Sequence, residues 1–410
     1  MPLNPPASLP IGVRRVLVID GGPLDGEASA GERATVDLLD ALVLLGAEVN
    51  FLPMGSKGSR DAALLRALSA RGVANVYPPT PISVGELLRA DPVEVVIANR
   101  PGPAAMASVA LQTHPEIASI YWGHDVHTRR LSAQQALRGD VARPHALATT
   151  VAERRCWDSY DLTVYPTLRE AQLVASMVGS RRAAACPYFM LAGSDLPSAE
   201  PQESGRSGIL MVGGAAHAPN VDAVEWAIAE VLPRLVAHTG SHARVTIVGD
   251  WPAQLRAELA GPGVRFSGRV SDDALRRLHD QSRCLLAPLR FGSGARRKII
   301  AAMGLGLPVI TTTEGAQGVL VRDGRHRDDG LLIADAAPAQ AAAVDALQSD
   351  PALWGMCAAR GRRAVADVYG RAHYTSAVAG VLQQAIDIRD ARQHAPAVDG
   401  AESLAGDEPI

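Results

Sequence analysis

Short apolar runs alternate with amphipathic stretches along most of the 410 residues. Arg15 to Asp20 is a compact apolar run ending in Gly21-Gly22-Pro23, the way a buried parallel strand meets a loop. The loop runs to Gly31. Glu32 to Leu45 then repeats apolar residues at helical spacing (Val36, Leu39, Leu42, Val43), and Gly46 stops it before a strand at Glu48 to Leu52. The same alternation predicts helices at Asp61–Ala70, Val84–Ala90, Ala146–Ser159 and Leu168–Met177. Strands are expected at Ala74–Tyr77, Val93–Ala98, Ala118–Trp122, Leu162–Tyr165 and Ala183–Cys186. A second series starts at Ile209–Val212 and ends in three helical segments, Pro338–Leu347, Ala352–Val368 and His373–Arg389; within it Asn220–Leu235 reads as one long helix. The pattern gives an α/β chain of two tandem doubly wound halves, with ligands expected in the cleft between the carboxyl edges of two parallel sheets.

The polar, Pro/Ser/Gly-rich stretch 194–207 reads as the linker between an N-terminal domain, 1–193, and a C-terminal domain, 208–370. Residues 371–392 form a last helix, and 393–410 read as a disordered tail. No period of 20 to 50 residues repeats.

The stretch Leu289–Gly318 carries the densest chemistry. A glycine-rich loop, Phe291-Gly292-Ser293-Gly294, leads to Arg296-Arg297-Lys298 at a helix start. Free N–H groups at a helix N-terminus with two guanidinium groups and an ammonium beside them suit a diphosphate. A solvated basic corner is the plainer alternative. Net charge of −3 argues against nucleic-acid binding through bulk charge, so anion recognition has to be local. Cys156, Cys186, Cys284 and Cys357 form no CxxC pair and read as small core residues of a reducing compartment. The leader MPLNPPASLP lacks the features of a signal peptide, and no apolar run approaches the ~18 residues of a membrane span, so a cytoplasmic protein is expected.

The segments VGGAAHAPNVDAVEWAIAEVLPRL, VTIVGD and GVRFSGRVSDDALRRLHDQSRCLLAPLRFGSGARRKIIAAMGLGLPVITTTEGAQG, in that order, strongly resemble the donor-nucleotide domain of glycosyltransferase family 4. The resemblance covers roughly Ile209 to Tyr369. It implies a GT-B fold and a retaining, metal-independent transfer of sugar from a nucleotide-diphosphate donor, without a cofactor. A glycan or lipid-linked acceptor in polysaccharide assembly is the implied partner. Metal-free transfer needs positive charge on the leaving diphosphate. Arg296 and Lys298 match the family's basic pair, Arg297 lies between them, and Gly292 and Gly294 would admit the phosphates. Gly31, in Ala30-Gly31-Glu32-Arg33, would meet the diphosphate from the opposite wall. The family's acceptor-side histidine falls on His124 or His127, with Asp125 orienting it or binding a hydroxyl; a metal held by the two histidines lacks a third ligand. The helix from His373 would cross back onto the first domain.

Several positions depart from the family. Its two glutamates, eight residues apart, fall here at Ser293 and Ala301. The second normally accepts from the ribose hydroxyls, a loss of roughly 1.5–3 kcal/mol. Gly315-Ala316-Gln317-Gly318 replaces an acid with Gln317, and Glu314 is the neighbouring substitute for the missing carboxylate. Gly214 and Asn220 lie where many members carry a basic pair, and Gly213 beside them is a further donor-binding candidate. These losses leave a second reading open, a catalytically weakened nucleotide-sugar-binding or partner subunit. A GT-B-fold nucleotide-sugar epimerase would need more acids and histidines. A nicotinamide enzyme would need a GxGxxG that neither strand end develops. Arg60, Arg66, Arg71, Arg89 and Arg129-Arg130 read either as solvated helix faces or as a basic face for peripheral contact at the inner side of the membrane.

Overall fold

A computed structural model of the chain describes residues 8–21, 30–54, 62–77, 83–187, 201–319 and 330–394. The expected linker up to residue 200 and the tail from residue 395 lie outside the described residues, as do the loop 22–29 and Arg60.

The first domain holds seven parallel strands: β1 (Arg15–Asp20), β2 (Glu48–Pro53), β3 (Asn75–Val76), β4 (Val95–Asn99), β5 (Ala118–Trp122), β6 (Leu162–Tyr165) and β7 (Ala183–Ala185). They lie in the order β3-β2-β1-β4-β5-β6-β7. The second holds β8 (Ile209–Val212), β9 (Val245–Val248), β10 (Val264–Gly268), β11 (Cys284–Ala287), β12 (Val309–Thr311) and β13 (Leu331–Ile333), in the order β10-β9-β8-β11-β12-β13. Strand order therefore reverses direction beside the first strand of each sheet, at β1/β4 and at β8/β11. Such switch points leave a crevice at the carboxyl edge, where the loops after neighbouring strands diverge. The continuous apolar runs that announced these strands are explained by helices covering both faces; all five residues of β4 and of β5 are buried.

The last helix, Arg371–Gln393, ties the halves together. It packs on the helix Ala30–Leu44 and on β5 and β6. One apolar cluster runs from Val16, Val18 and Ile97 through Tyr374, Val378 and Leu382 to Ile299, Met303 and Leu285 in the second domain. Arg392 pairs with buried Asp161 at 2.7 Å. Ion pairs also span the cleft: Arg33–Asp272 at 2.5 Å, Arg297–Asp37 at 3.2 Å and Arg138–Glu225 at 2.7 Å.

Two helical expectations change. The segment after β5 opens a helix, His127–Arg138, that periodicity did not show because only Leu131 on it is buried. The expected Asn220–Leu235 helix is three pieces: Ala218–Trp226, a π turn at Ala227–Val231, and Leu232–Thr239. Pro233 has no N–H to donate, and the wider turn just before it absorbs the missing bond. All four cysteines are buried and none is in a disulfide. None of the described helices is long and apolar enough to cross a membrane.

Candidate functional site

The carboxyl edge of β5 delivers the first half of the site. Gly123 donates to the Val164 carbonyl at 2.8 Å, and a side chain here would collide with the Tyr165 ring, so the chain can turn tightly into His124-Asp125-Val126. His127 then begins the helix. The first turn of a helix has free N–H groups. Here those of His127 and Thr128 donate to Glu153 at 2.6 and 2.8 Å. Glu153 is fully buried; it also receives the Thr128 hydroxyl at 2.6 Å and lies 3.0 Å from His127 Nδ1. Four donors and the helix dipole make this carboxylate affordable inside the protein.

Charge around the histidines is strongly ordered. Burial works against a charged His127, but the Glu153 bond and the neighbouring Asp125 and Glu153 charges outweigh it, and its pKa is raised. His127 Nε2 lies 3.3 Å from Asp125, whose other oxygen receives Arg130 Nε at 2.9 Å. Burial alone would raise Asp125; His127 and Arg130 instead hold it at about 2. His124 goes the other way: burial, and then Arg100, push it down to about 4. At neutral pH His124 is thus neutral, while His127, three residues on, is held toward its charged form.

The carboxyl edge of β11 delivers the second half. The chain leaves Ala287 through Pro288 and Phe291 into the glycine loop, and the helix Arg297–Gly304 follows with Arg296 at its N-cap. Gly294 sits at φ +76°, and a Cβ there would come 2.7 Å from the His124 carbonyl oxygen. The loop consequently lies directly against the histidine segment. Ser293 donates from its hydroxyl to Asp125 at 2.9 Å, and Gly294 N–H donates to Glu170 of the first domain at 2.7 Å.

The basic triplet divides. Arg296 is buried, folds back to donate to the Ser293 and Gly294 carbonyls, and lies 3.6 Å from Glu314; burial lowers its pKa. Arg297 reaches across to Asp37 at 3.2 Å. Lys298 donates to Asn220 Oδ1 at 2.5 Å, and burial, then Arg296, lower its pKa to about 7. Asn220 in turn donates to the Gly214 carbonyl at 2.9 Å, while the Gly213 carbonyl accepts from Trp251 Nε1 at 2.9 Å. Gly31 stands on the opposite wall, where a Cβ would be 3.0 Å from His124 Nδ1. The candidates His124, Asp125, His127, Gly31, Ser293, Gly294 and Arg296 therefore form one locus between the switch points. Lys298, Asn220 and Gly214 adjoin it along the second domain.

Glu314 and Gln317 do not stand open. Arg129 donates to Glu314 at 3.0 Å, to Gln317 Oε1 at 2.9 Å and to the Gly292 carbonyl at 2.8 Å, and Arg169 donates to Gln317 Oε1. Ala301, half-buried on the helix after the loop, brings no acceptor. Arg129 and Arg130, one of the stretches offered above as a basic surface, are both committed to the cleft. Among the described residues no group of three or more His, Cys, Asp and Glu could hold a metal ion.

Sequence reasoning missed Glu153, Glu170 and His217. Glu153 precedes Arg154-Arg155-Cys156-Trp157, and an acid on the same face as Cys156 and Trp157 was the available signal. Thr167-Leu168-Arg169-Glu170 was legible as a helix start, but its contact with a loop 124 residues later was not. His217 shares the cleft; burial, then Arg130 and Lys298, bring it to about 4.

Residues 206–350 match the family model described as Glycosyl transferases group 1. No curated protein matches the chain. Solved structures share the architecture over nearly its whole length. The Anabaena protein Alr3699/HepE, in complex with UDP and glucose, is 16% identical with a TM-score of 0.61, covering 92% of this chain and 100% of its own. A glycosyltransferase from Rickettsia africae gives 14% and 0.64, covering 92% and 99%. AviGT4, a glycosyltransferase involved in avilamycin A biosynthesis, gives 15% and 0.53, covering 93% and 98%. At these identities the likeness establishes the fold, two Rossmann-like domains in the GT-B arrangement.

Proposed function

We propose, from the match of the second domain to Glycosyl transferases group 1, that this protein moves a sugar from a nucleotide-diphosphate donor to a glycan or lipid-linked acceptor, with retention and without a metal. The observation that carries the reading is the close approach of the glycine loop and its basic triplet to His124–His127 across one cleft. The bond from the anomeric carbon to the diphosphate would break toward the cations. Arg296 and Lys298 would take the charge that develops on the leaving oxygens, in a site already shielded from water. His124, uncharged at neutral pH, and His127 would face the sugar as partners for its hydroxyls. Since Alr3699/HepE was crystallised with UDP-glucose, uridine donors come first in the test: calorimetric binding and nucleotide release with a panel of uridine, guanosine and adenosine diphosphate sugars. Binding of one, with release of its nucleoside diphosphate on adding acceptor, is expected; no binding to any overturns the reading. We place the protein in the cytoplasm, reaching a lipid-linked acceptor from the inner face of the membrane.

A second reading, a nucleotide-sugar-binding subunit with weakened turnover, is favoured by Ala301 and by the arginines that enclose Glu314. It is distinguished by binding without nucleotide release on any acceptor.

A further inference from the structure

Glu170 is the carboxylate that the proposed reaction does not itself use, yet it touches both halves of the site. It lies in the first turn of the helix Leu168–Val178, is 2% exposed, and draws its burial tolerance from three donors. Its Oε2 receives the Thr167 hydroxyl at 2.8 Å, while Thr167 Oγ1 accepts the Glu170 N–H at 3.2 Å, so the side chain is fixed by its own helix cap. The other oxygen, Oε1, receives Val126 N–H at 3.2 Å and Gly294 N–H at 2.7 Å. Val126 is the N-cap of the His127 helix, and Gly294 belongs to the glycine loop of the other domain. One oxygen atom thus joins the histidine segment to the loop that precedes the basic triplet.

We propose that Glu170 is a positioning residue. It sets how the glycine loop seats against His124–His127, and so holds the donor-binding and histidine walls in register when the cleft is closed. The functional part rests on the reading of the cleft as a nucleotide-sugar site; the seating of the loop does not. Two features of the geometry support it. The bridge is a charge-assisted pair converging on one atom, the stronger kind of backbone contact. Gly294 also has no room for a side chain on its other flank, where a Cβ would stand 2.7 Å from the His124 carbonyl oxygen. Freed from Glu170, the loop keeps two side-chain ties to the first domain, the Ser293–Asp125 bond at 2.9 Å and the Arg129 bond to the Gly292 carbonyl at 2.8 Å, and neither holds the backbone of Gly294.

The test compares Glu170→Ala, Glu170→Gln and Thr167→Val in the full chain by peptide-resolved hydrogen exchange and by UDP calorimetry. Glutamine keeps an acceptor oxygen for both N–H groups, and its amide can donate to Thr167. For Glu170→Ala we expect exchange across residues 289–296 to rise by about tenfold or more and UDP affinity to fall by about tenfold. Glu170→Gln should return both to within about threefold of wild type, and Thr167→Val should fall between. A purely local helix-cap role would instead raise exchange in 167–178 and leave 289–296 protected; that pattern overturns the proposal, as does a glutamine variant as impaired as alanine. If wild type binds none of UDP, GDP and ADP, the nucleotide-sugar reading fails, and the exchange arm alone still decides the positioning role; if it binds GDP or ADP instead, that nucleotide replaces UDP in the affinity arm. Should Glu170→Ala not fold, the Thr167→Val and Glu170→Gln pair carries the same comparison.

Discussion

Replacing Lys298 with methionine should make the empty protein more stable while abolishing diphosphate binding. Lys298 is half-buried, and its pKa drops from 10.5 to about 7 through burial first and Arg296 second. A drop of that size corresponds to about 5 kcal/mol held against the charged form, and its residual exposure reduces this to about 2 kcal/mol. The bond to Asn220 returns about 1 kcal/mol. Methionine has similar length and no charge to desolvate, so the net gain is about 1 kcal/mol, or roughly 1 °C in Tm for a chain of this length. The pH dependence fixes the sign. The folded protein releases this proton at a lower pH than the unfolded chain, so the penalty on wild type is complete below about 7 and fades as pH rises toward 10.5. The advantage of Lys298→Met should therefore be largest at or below neutral pH and shrink in alkali. Thermal melts at several pH values, with and without UDP, measure both arms. UDP at about a hundred times its Kd should stabilise wild type by about 2.7 kcal/mol and leave the variant unmoved. A lower Tm for the variant at pH 6–7, or an undiminished UDP shift, would refute the reasoning and make Lys298 a structural cation.

Three further outcomes are expected. Because burial and Arg296 hold Lys298 at about 7 in the empty site, UDP binding at pH 8 should draw in up to about one proton; calorimetry in two buffers of different ionisation heat reads this directly, and zero uptake would count against a diphosphate at Lys298. In Glu153→Gln the His127 pKa should fall, since the Glu153 bond is the leading contribution raising it against burial. That raised pKa stabilises the fold below the ordinary histidine value, and the benefit disappears as pH rises through the folded pKa, so the variant should lose stability on the acid side; histidine-resolved NMR titration with melts at pH 5 and 8 checks both. Ala301→Glu should tighten UDP binding by about tenfold if the ribose lies over this helix; unchanged affinity in a folded variant would mean the ribose is held elsewhere.

The fold was largely legible because parallel strands covered on both faces leave continuous apolar runs. Arg15–Asp20 and Val95–Asn99 show it most clearly, and switch-point logic then locates the cleft. The helix His127–Arg138 escaped because its stability comes from Glu153 at its N-terminus and from cross-domain partners of Arg129 and Arg138, none of which leaves a period in the sequence. The same limit hid Glu170. A threonine N-cap is written in a few consecutive residues, but an oxygen shared by Val126 and Gly294 is a tertiary fact. Glu314 shows the converse: proximity to the glycine loop suggested an acceptor for ligand, and the arginines folded onto it from the first domain and from Arg296 could not be read from spacing.

A crystal structure with an intact nucleotide-diphosphate sugar, collected on wild-type protein at saturating donor, bears most directly on the whole picture. The diphosphate is expected between Gly31 and the start of the helix Arg297–Gly304, in contact with Arg296 and Lys298, with the anomeric carbon toward His124 and His127. A nucleotide bound away from the glycine loop, or a cleft still empty at saturating donor, would contradict it.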